Sequence, residues 1–347
     1  MALASVLAIF VAACGDGNGG DSESAAVAGG QNAGTAEWQA IVKAAKKEGS
    51  VSLYAARVET DVVRMIGEFH KVHPDIKVNY VVLPSLAMLE RVDQELAAGR
   101  LGADVTWNAE IFRLQEHVAK HELLPIVGPA ASEWDPKQIS SGLVPLVTDP
   151  YGFAYNTDII TKDPPTDWNS LATDDRFRGR IVMQEVNGSA VVGFYRNIER
   201  LAGGDWLNKI AQLGPVRLGQ SGTIAQSTAA GETAAGVFVE LHSVTSLKDQ
   251  GAPIEYVFPK SGTFAAVQYG GVWAKAKHPN AGRVFLDFLM SRQGQEDFVA
   301  GGRAYSRLNL PEGYHLDPGK LTYLAKQDSD PAALNAYRTR FAHLFSG

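Results

Sequence analysis

The chain has 347 residues, a formal net charge of −6 and 20% charged residues. This length suits two α/β lobes of ordinary size better than one small core. The acidic balance argues against nucleic acid or an anionic membrane surface as a partner. A single cysteine excludes an internal disulfide framework and a multi-cysteine metal site.

The start of the chain has the pattern of an export signal. An apolar run of small residues covers positions 2–13, which is too short for a membrane span of about 20 residues. We interpret it as the hydrophobic region of a secretory signal. The run ends in the letters VAAC, which resemble the bacterial lipobox, whose cysteine is lipidated and becomes the mature N-terminus. A signal peptide over 1–14, a mature chain from Cys14 and a lipid anchor are therefore expected.

Residues 15–35 connect this signal to the folded part. They are rich in Gly, Asp, Ser, Asn and Ala, and through position 34 Val27 is their only large apolar residue. A segment of this composition buries too little apolar surface to order itself. The sequence therefore predicts a flexible tether.

Helical and strand patterns alternate between positions 38 and 121. Apolar residues recur at helical spacing from Trp38 to Glu48, and Gly49 predicts a C-cap. The elements that follow are strand 51–54, helix 59–72, strand 76–83, helix 86–98, strand 103–107 and a helix from Asn108 to 121. This βαβαβ order with short connections predicts a parallel sheet covered by helices.

The pattern changes near position 148, where a strand at 153–156 leaves this first unit. The later elements are predicted as strand 180–183, helices 189–201, 206–213 and 224–230, strand 234–241, a helix to 250, strands 254–258 and 267–274, and a helical region from 280 onward. The fold class is therefore α/β. The apolar strand at 267–274 is expected to return to the first unit.

Short motifs occur in a fixed order between Trp38 and Arg303. They are EGSVSLY (48–54), FHKVHPDIKV (69–78), GADV (102–105), YGFAYNTD (151–158), DW (167–168), RFRGRI (176–181), AGE (230–232), GAPI (251–254) and HPNA to FLMS (278–291). In this order and spacing they resemble extracytoplasmic solute-binding proteins of ABC transporters, in the ferric-iron, phosphonate and polyamine-like cluster.

The resemblance implies a two-lobed type II periplasmic-binding-protein-like fold with hinge strands. Lobe 1 is expected at 36–149 and 270–347, and lobe 2 at 150–269, with crossings near 149–155 and 265–271. The lobes would close over a small-molecule ligand and deliver it to an ABC permease. The resemblance implies a monomer without cofactor or catalytic residues, placed in the periplasm or at the outer face of the cell membrane.

Candidate ligand contacts lie where strands end and helices begin, because open α/β sheets bind ligands at strand carboxyl ends. Small and hydroxyl residues there leave backbone N–H groups free, and a helix N-terminus favours an anion. Arg57 adds a fork-shaped donor, so a carboxylate or phosphonate is expected. The candidates are Arg57, Glu59, Asn108, Gln184, Asn187, Ser189, Ser221 and Thr223. The alternative is that the hydroxyl and amide residues are ordinary N-caps.

The resemblance to ferric-binding relatives breaks at positions 239–243. Those relatives carry adjacent tyrosines near this point, whereas this chain has no adjacent pair. Glu240 and His242 are expected on one face of the strand, and alone they are short of hard oxygen ligands for bare iron. An organic anion is therefore favoured, and no protein metal site is expected.

Two alternatives to the organic anion stay open. One is a ferric-iron carrier that uses Glu59, Glu240 and an exogenous anion. The other is a secreted hydrolase or lyase in which Glu240 and His242 act as acid and base. Trp107, Tyr151 and Tyr269 are predicted as aromatic walls of the ligand cleft. Arg57→Ala is expected to weaken anion binding by about 2 kcal/mol or more and leave the fold intact.

Overall fold

The computed structural model describes residues 35–57, 59–139, 141–299, 305–306, 318–328 and 330–346. Within these ranges, none of the helices combines the length and the apolar character needed to cross a membrane. Cys14, the signal peptide and most of the tether lie outside the described residues, so they stay predictions.

The first lobe begins with the predicted alternation of helices and strands. Its first helix starts where Thr35 Oγ1 accepts a hydrogen bond from the Trp38 amide, and it ends at Gly49 with φ +68°. The elements are α1 (Ala36–Glu48), β1 (Ser50–Ala55), α2 (Glu59–Val72), β2 (Lys77–Val82), α3 (Ser85–Ala97), β3 (Val105–Asn108) and α4 (Ile111–Ala119).

The next part of the chain, which begins and ends with the two hinge strands, also alternates strands and helices. Its elements are β4 (Val144–Asn156), α5 (Trp168–Ala172), β5 (Ile181–Gln184), α6 (Ser189–Ala202), α7 (Trp206–Gln212), β6 (Val216–Leu218), α8 (Ser221–Ala229), β7 (Ala235–Glu240), α9 (Leu241–Asp249), β8 (Ile254–Val257) and β9 (Thr263–Val272). The last elements are α10 (Pro279–Met290), α11 (Arg292–Val299), β10 (Tyr305–Ser306), β11 (Leu321–Thr322) and α12 (Pro331–Leu344).

The strands form one sheet with the order β2-β1-β3-β9-β4-β7-β5-β6. β1, β2 and β3 are parallel, as are β5, β6 and β7, while β9 and β4 run antiparallel to their neighbours. β3 ends at Asn108 opposite Tyr269, and β7 ends at Glu240 opposite Tyr151. The carboxyl ends of the parallel strands of both lobes therefore point toward the middle of β4 and β9.

Two hydrophobic cores lie at the two ends of the hinge strands. On β4, Val144 and Val147 belong to the first core and Phe153 belongs to the second. On β9, Phe264 packs in the second core and Val272 in the first. β4 and β9 are therefore shared by both lobes, which is the arrangement of hinge strands. The predicted two-lobed α/β fold with hinge strands is confirmed.

The C-terminal helix differs from the expected division of the chain. The prediction placed all of 270–347 in lobe 1, and α10 does pack in the first core through Phe285 and Leu289. Tyr337 and Phe341 of α12, however, are buried in the second core. The structure therefore places α12 with the second lobe and not with lobe 1, because its apolar face packs against α6.

Candidate functional site

A β-bulge positions Glu240 at the hinge. Residues 152 and 153 of β4 pair with Val239 and Val237, so Phe238 is an extra residue in β7, with φ +70°. Such a bulge bends the strand and redirects the side chains beyond it. Glu240 then lies opposite Tyr151, whose hydroxyl donates a 2.6 Å hydrogen bond to its carboxylate. The strained backbone at Phe238 is held by ring stacking on Tyr151, with 4.3 Å between the centroids.

Charged side chains from both lobes meet at this bulge in a group that we name the hinge charge cluster. Arg57 donates hydrogen bonds to Asp61 and to Asp149, and only 6% of the Arg57 side chain is exposed. Glu240 accepts hydrogen bonds from Tyr151 and, at 3.3 Å, from Ser221. The cluster consists of Arg57, Asp61, Asp149, Tyr151, Glu240 and His242.

The electrostatics of the cluster keep Arg57 and Glu240 charged, whereas burial raises the pKa of Asp149 above its ordinary value despite the adjacent Arg57 guanidinium. Burial lowers the pKa of Arg57, but Asp149 and Asp61 outweigh it and hold that pKa above its ordinary value. Burial raises the pKa of Glu240, yet His242, Tyr151 and Arg57 together bring it below its ordinary value. Arg57 is therefore a buried structural cation whose charge is already compensated by carboxylates of this chain.

The sequence predicted that Glu240 and His242 lie on one face of the same strand, but the structure places His242 on the helix that follows. β7 ends at Glu240, and His242 is the second residue of α9. Its Nε2 still lies 3.6 Å from the Glu240 carboxylate, because Glu240 is the N-cap of α9 and His242 lies in the first turn of that helix. Its Nδ1 is buried and has no hydrogen-bond partner among the described residues.

A second feature, the interlobe cavity, lies along the same stretch of the hinge strands. Its volume is about 80 Å³. The described residues that line it are Ser85, Ala109, Glu110, Ile111, Ser189, Ala190, Phe264, Ala265, Ala266, Val267, Tyr269, Tyr323 and Leu324. Glu110 carries the only charge in this described lining, so the cavity has mostly apolar walls with a few polar groups, as ligand sites do.

One hydrogen bond joins the lobes across this cavity. Ser189, at the start of α6, donates through its hydroxyl to the Glu110 carboxylate, which precedes α4, over 2.8 Å. Burial raises the pKa of Glu110, although Ser189 and Arg113 partly offset the rise. The cavity is smaller than the roughly 300–1,000 Å³ of typical ligand pockets. In this arrangement the lobes therefore leave too little room for a ligand of ordinary size.

Helix N-termini converge on the cavity from both lobes. Ser85, Ile111 and Ser189 line it, and each is the first residue of its helix. Neither α3 nor α6 has a side-chain cap among the described residues, whereas Asp167 caps α5 and Asp330 caps α12. Free amide groups and helix dipoles thus point toward the cavity, which favours negative charge there.

Several other predicted contacts are not among the described residues that line the cavity. Gln184 and Asn187 both donate to the Gly219 carbonyl oxygen over 2.7 Å, so they brace the loop between β6 and α8. Asn108 is fully buried and accepts from the Glu110 amide over 2.8 Å, which forms a turn just before α4. Trp107 is also fully buried, with the Arg57 guanidinium 5.7 Å from its ring.

Two predicted residues lie at the surface. Glu59 accepts a 2.8 Å hydrogen bond from the Tyr80 hydroxyl, and Thr223 is exposed in the first turn of α8. Of the predicted residues, Arg57, Tyr151, Ser221, Glu240 and His242 are brought together in or beside the hinge charge cluster, and Ser189 and Tyr269 line the cavity.

Sequence reasoning missed Asp61, Asp149, Glu110 and the C-terminal pair Tyr323 and Leu324. Asp61 had a signal, because it stands four residues after Arg57 on a predicted helix and could pair with it. Glu110 stands in the first turn of the helix predicted from Asn108 to 121, and in the structure it immediately precedes α4. The other three are brought in by tertiary structure alone. Among the described residues, no group of three or more His, Cys, Asp or Glu could hold a metal ion.

Solved structures of binding proteins share this fold. The substrate-binding protein of an ABC transporter from Agrobacterium tumefaciens aligns with a TM-score of 0.73 at 18% identity, covering 85% of this chain and 94% of that one. AfuA of Actinobacillus pleuropneumoniae, with exogenous fructose-6-phosphate bound, gives 0.67 at 20% identity over 86% and 99%. Iron-bound HitA of Pseudomonas aeruginosa gives 0.62 at 18% identity over 86% and 98%.

The sequence comparisons identify the family. A Haemophilus influenzae protein described as uncharacterized is 29% identical over 156 residues, which cover 42% of this chain and 44% of that protein. The family profile of bacterial extracellular solute-binding proteins matches residues 30–296. These residues include both hinge strands, the hinge charge cluster and most of the cavity lining. The chain belongs to the bacterial extracellular solute-binding protein family.

Proposed function

We propose that this solute-binding protein captures a small organic anion, a carboxylate or phosphonate, between its lobes and delivers it to an ABC importer. The observation that carries the proposal is the convergence of helix N-termini from both lobes on one cavity. A ligand that contacts both lobes stabilises the closed state, because it binds that state more tightly than the open one.

Glu110 supports an anionic ligand. Its carboxylate accepts the Ser189 hydroxyl at the start of α6 and so occupies the place that an anion would take. We infer that the ligand's own carboxylate or phosphonate replaces Glu110 there when the lobes reopen and close again. The ligand thus takes over the Ser189 hydrogen bond that Glu110 accepts in its absence.

Arg57 has a different role in this proposal than the sequence suggested. Because Asp61 and Asp149 already engage the guanidinium, Arg57 does not supply a free fork for the ligand. It holds the hinge charge cluster together beside the strands on which the lobes turn. Direct recognition of the anion is assigned instead to Ser189 and to the backbone N–H groups of α3 and α6.

The names of the structural relatives cover several ligand classes. AfuA was solved with a sugar phosphate, HitA with iron, and another relative of similar fold is a thiamin-binding protein. The sugar phosphate is an organic anion, in line with the proposal.

The predicted export signal and the predicted lipid anchor at Cys14 add a location to the proposal. A lipid at Cys14 would hold the protein at the outer face of the membrane, beside its permease.

A thermal-shift screen followed by calorimetry tests the ligand class. We expect stabilisation by one or more carboxylates or phosphonates in a panel that also contains polyamines and ferric citrate. Ser189→Ala should weaken the best hit by about 1.5 kcal/mol or more, because it removes a hydrogen bond to a charged group. Ser227→Ala, within α8 and away from the cavity lining, is the matched control and should bind as the parent does.

Three outcomes would contradict the proposal. Stabilisation by ferric ion with citrate but not by citrate alone would replace the organic anion with iron. Stabilisation by polyamines alone would reverse the sign of the ligand charge. If NMR over several hours showed that a hit is chemically converted, the protein would be a hydrolase or lyase on this scaffold.

A further inference from the structure

Residues 321–328 form a strap that returns to the second lobe beyond the family match, which ends at position 296. At its start β11 pairs in parallel with β9, Leu321 opposite Thr263 and Thr322 opposite Phe264. The Thr322 hydroxyl also donates to the Thr263 carbonyl oxygen over 3.2 Å. The strap is therefore joined by backbone pairing to the strand whose residues 264–267 line the interlobe cavity.

The other end of the strap is fixed to the second lobe. Asp328 is 1% exposed and pairs with Arg196 of α6 over 2.7 Å. α12 follows directly, and Tyr337 and Phe341 anchor it in the second core. Because its ends are attached to the second-lobe end of β9 and to α6, we expect the strap to move with the second lobe when the hinge opens.

Between its two anchors, the strap presents Tyr323 and Leu324 to the cavity. Leu324 packs on α6 where Gly193 leaves room, since a Cβ on Gly193 would lie 2.8 Å from a Leu324 methyl group. Tyr323 remains 40% exposed although it lines the cavity. A partly exposed aromatic ring at a cavity wall is available to contact a ligand at low conformational cost.

We propose that the strap forms one wall of the ligand cavity and that Tyr323 sets the size of the ligand that the cavity accepts. This assignment rests on the proposed function, because it takes the interlobe cavity to be the ligand site. The first lobe would supply the facing wall through Ser85 and Ile111, while Ser189 and the strap would close over the ligand together from the second lobe.

A labelling experiment tests the wall without any ligand. Ala265→Cys places a thiol on the cavity face of β9, because residues 265, 267 and 269 alternate onto the face that carries Tyr269. The experiment uses the full-length chain in a Cys14→Ser background, and Ala265 is 1% exposed in the parent protein. The reaction rates of the introduced thiol with iodoacetamide and with a bulky maleimide then report access to the cavity.

We expect Tyr323→Ala to raise the maleimide rate at the introduced thiol by about tenfold or more and the iodoacetamide rate by less, since the wall is opened locally. Lys326→Ala, exposed on the same strap but outside the cavity lining, is the matched control and should leave both rates unchanged. Unchanged rates in Tyr323→Ala, or an equal rise in Lys326→Ala, would overturn the proposal. Circular dichroism of each variant confirms that the fold is retained.

The panel of anions provides the second readout. Tyr323→Ala should bind the larger members of a carboxylate and phosphonate series about tenfold more tightly relative to the smaller members than the parent protein does. An unchanged preference, with the expected labelling, would overturn the role of Tyr323 in selection. A panel without any hit would count against the proposed ligand class alone, because the labelling rates still decide whether the strap is a wall.

Discussion

Arg57 is held by carboxylates of its own chain, which changes what its removal should do. The side chain is 6% exposed and bonded to Asp61 and Asp149, so Arg57→Ala leaves the buried Asp149 without this cation and Asp61 with Arg64 at 3.5 Å. Breaking a buried pair in this way costs roughly 3–5 kcal/mol. We therefore expect a large loss of stability in urea unfolding, and not the intact fold that the sequence predicted.

The control for Arg57 is Arg100, which is exposed after α3. Arg100→Ala should change stability by no more than about 0.5 kcal/mol, as surface substitutions do. Equal stability of Arg57→Ala and Arg100→Ala would show that the buried pairs contribute nothing to folding. It would also mean that the Arg57 guanidinium is available to bind a ligand.

Asp287 makes stability depend on pH. Burial, with help from Glu133, raises the pKa of Asp287 to about 7, although the Ala130 amide donates to its carboxylate over 2.9 Å. Between about pH 4 and 7 the folded state keeps a proton that the unfolded state releases, so this group lowers stability as pH rises through that window. Above pH 7 its full destabilising contribution is present.

Asp287→Asn should remove this dependence. The amide oxygen can still accept from Ala130, while no charge is buried. At pH 8 we expect the variant to be more stable than the parent by about 2 kcal/mol or more, with little difference at pH 4. Denaturant unfolding at both pH values measures this. Asp249→Asn, an exposed position at the end of α9, is the control and should show no such gain. A stability difference between parent and Asp287→Asn that is the same at pH 4 and pH 8 would contradict it.

The sequence identified residue types at the hinge but not their partners. Arg57, Tyr151 and Glu240 were all chosen because they stand at strand ends, and they do meet there. What the pattern could not supply is Asp149, whose contact with Arg57 joins residues 92 positions apart. Pairing over such separations depends on sheet order, which local periodicity does not encode.

Among the elements, helices were predicted most accurately, since apolar spacing and caps are local signals. α2 was predicted at 59–72 and lies at those positions. β4 was predicted only at 153–156 but runs for 13 residues from Val144. Two prolines lie within it, and proline usually argues against a central strand. Pro145 is tolerated because the register with β9 shifts next to it.

The N-cap of α12 controls how firmly the strap is held. Asp330 accepts from the Ala333 amide over 2.8 Å, and Pro331 occupies the first helical position. Asp330→Ala should cost about 1 kcal/mol, while Asp330→Ser should keep most of the cap. Hydrogen exchange of the α12 amides measures the difference. Equal protection in both variants would show that the cap does not limit opening of this helix.

At the scale of the whole molecule, the sequence predicted two lobes and two hinge crossings, but not the return of the chain to the second lobe. The helical pattern of α12 gives no sign of which core receives it, because an apolar face fits either lobe. The closed state depends on contacts of the same kind. Glu110 and Ser189 come from different lobes, and neither residue carries a local signal for the other.

The Glu110–Ser189 hydrogen bond should set the balance between open and closed forms. Glu110→Ala and Ser189→Ala should each raise the ligand-free radius of gyration in X-ray scattering, because each removes the same contact, worth about 1.5–3 kcal/mol. The double variant should open no further than either single one, since the two residues form one interaction. Glu110→Gln retains an acceptor for the Ser189 hydroxyl and should stay closed.

The same variants distinguish two possible roles of Glu110, which are holding the lobes together and contacting the ligand. Because the ligand's anion must displace the Glu110 carboxylate, Glu110→Ala should bind the best carboxylate or phosphonate about tenfold more tightly, whereas Ser189→Ala should bind it more weakly. Calorimetry measures both affinities. If Glu110→Ala lost affinity as Ser189→Ala does, Glu110 would be a ligand contact in its own right, and a group on the ligand that donates to it would have to replace the simple anion.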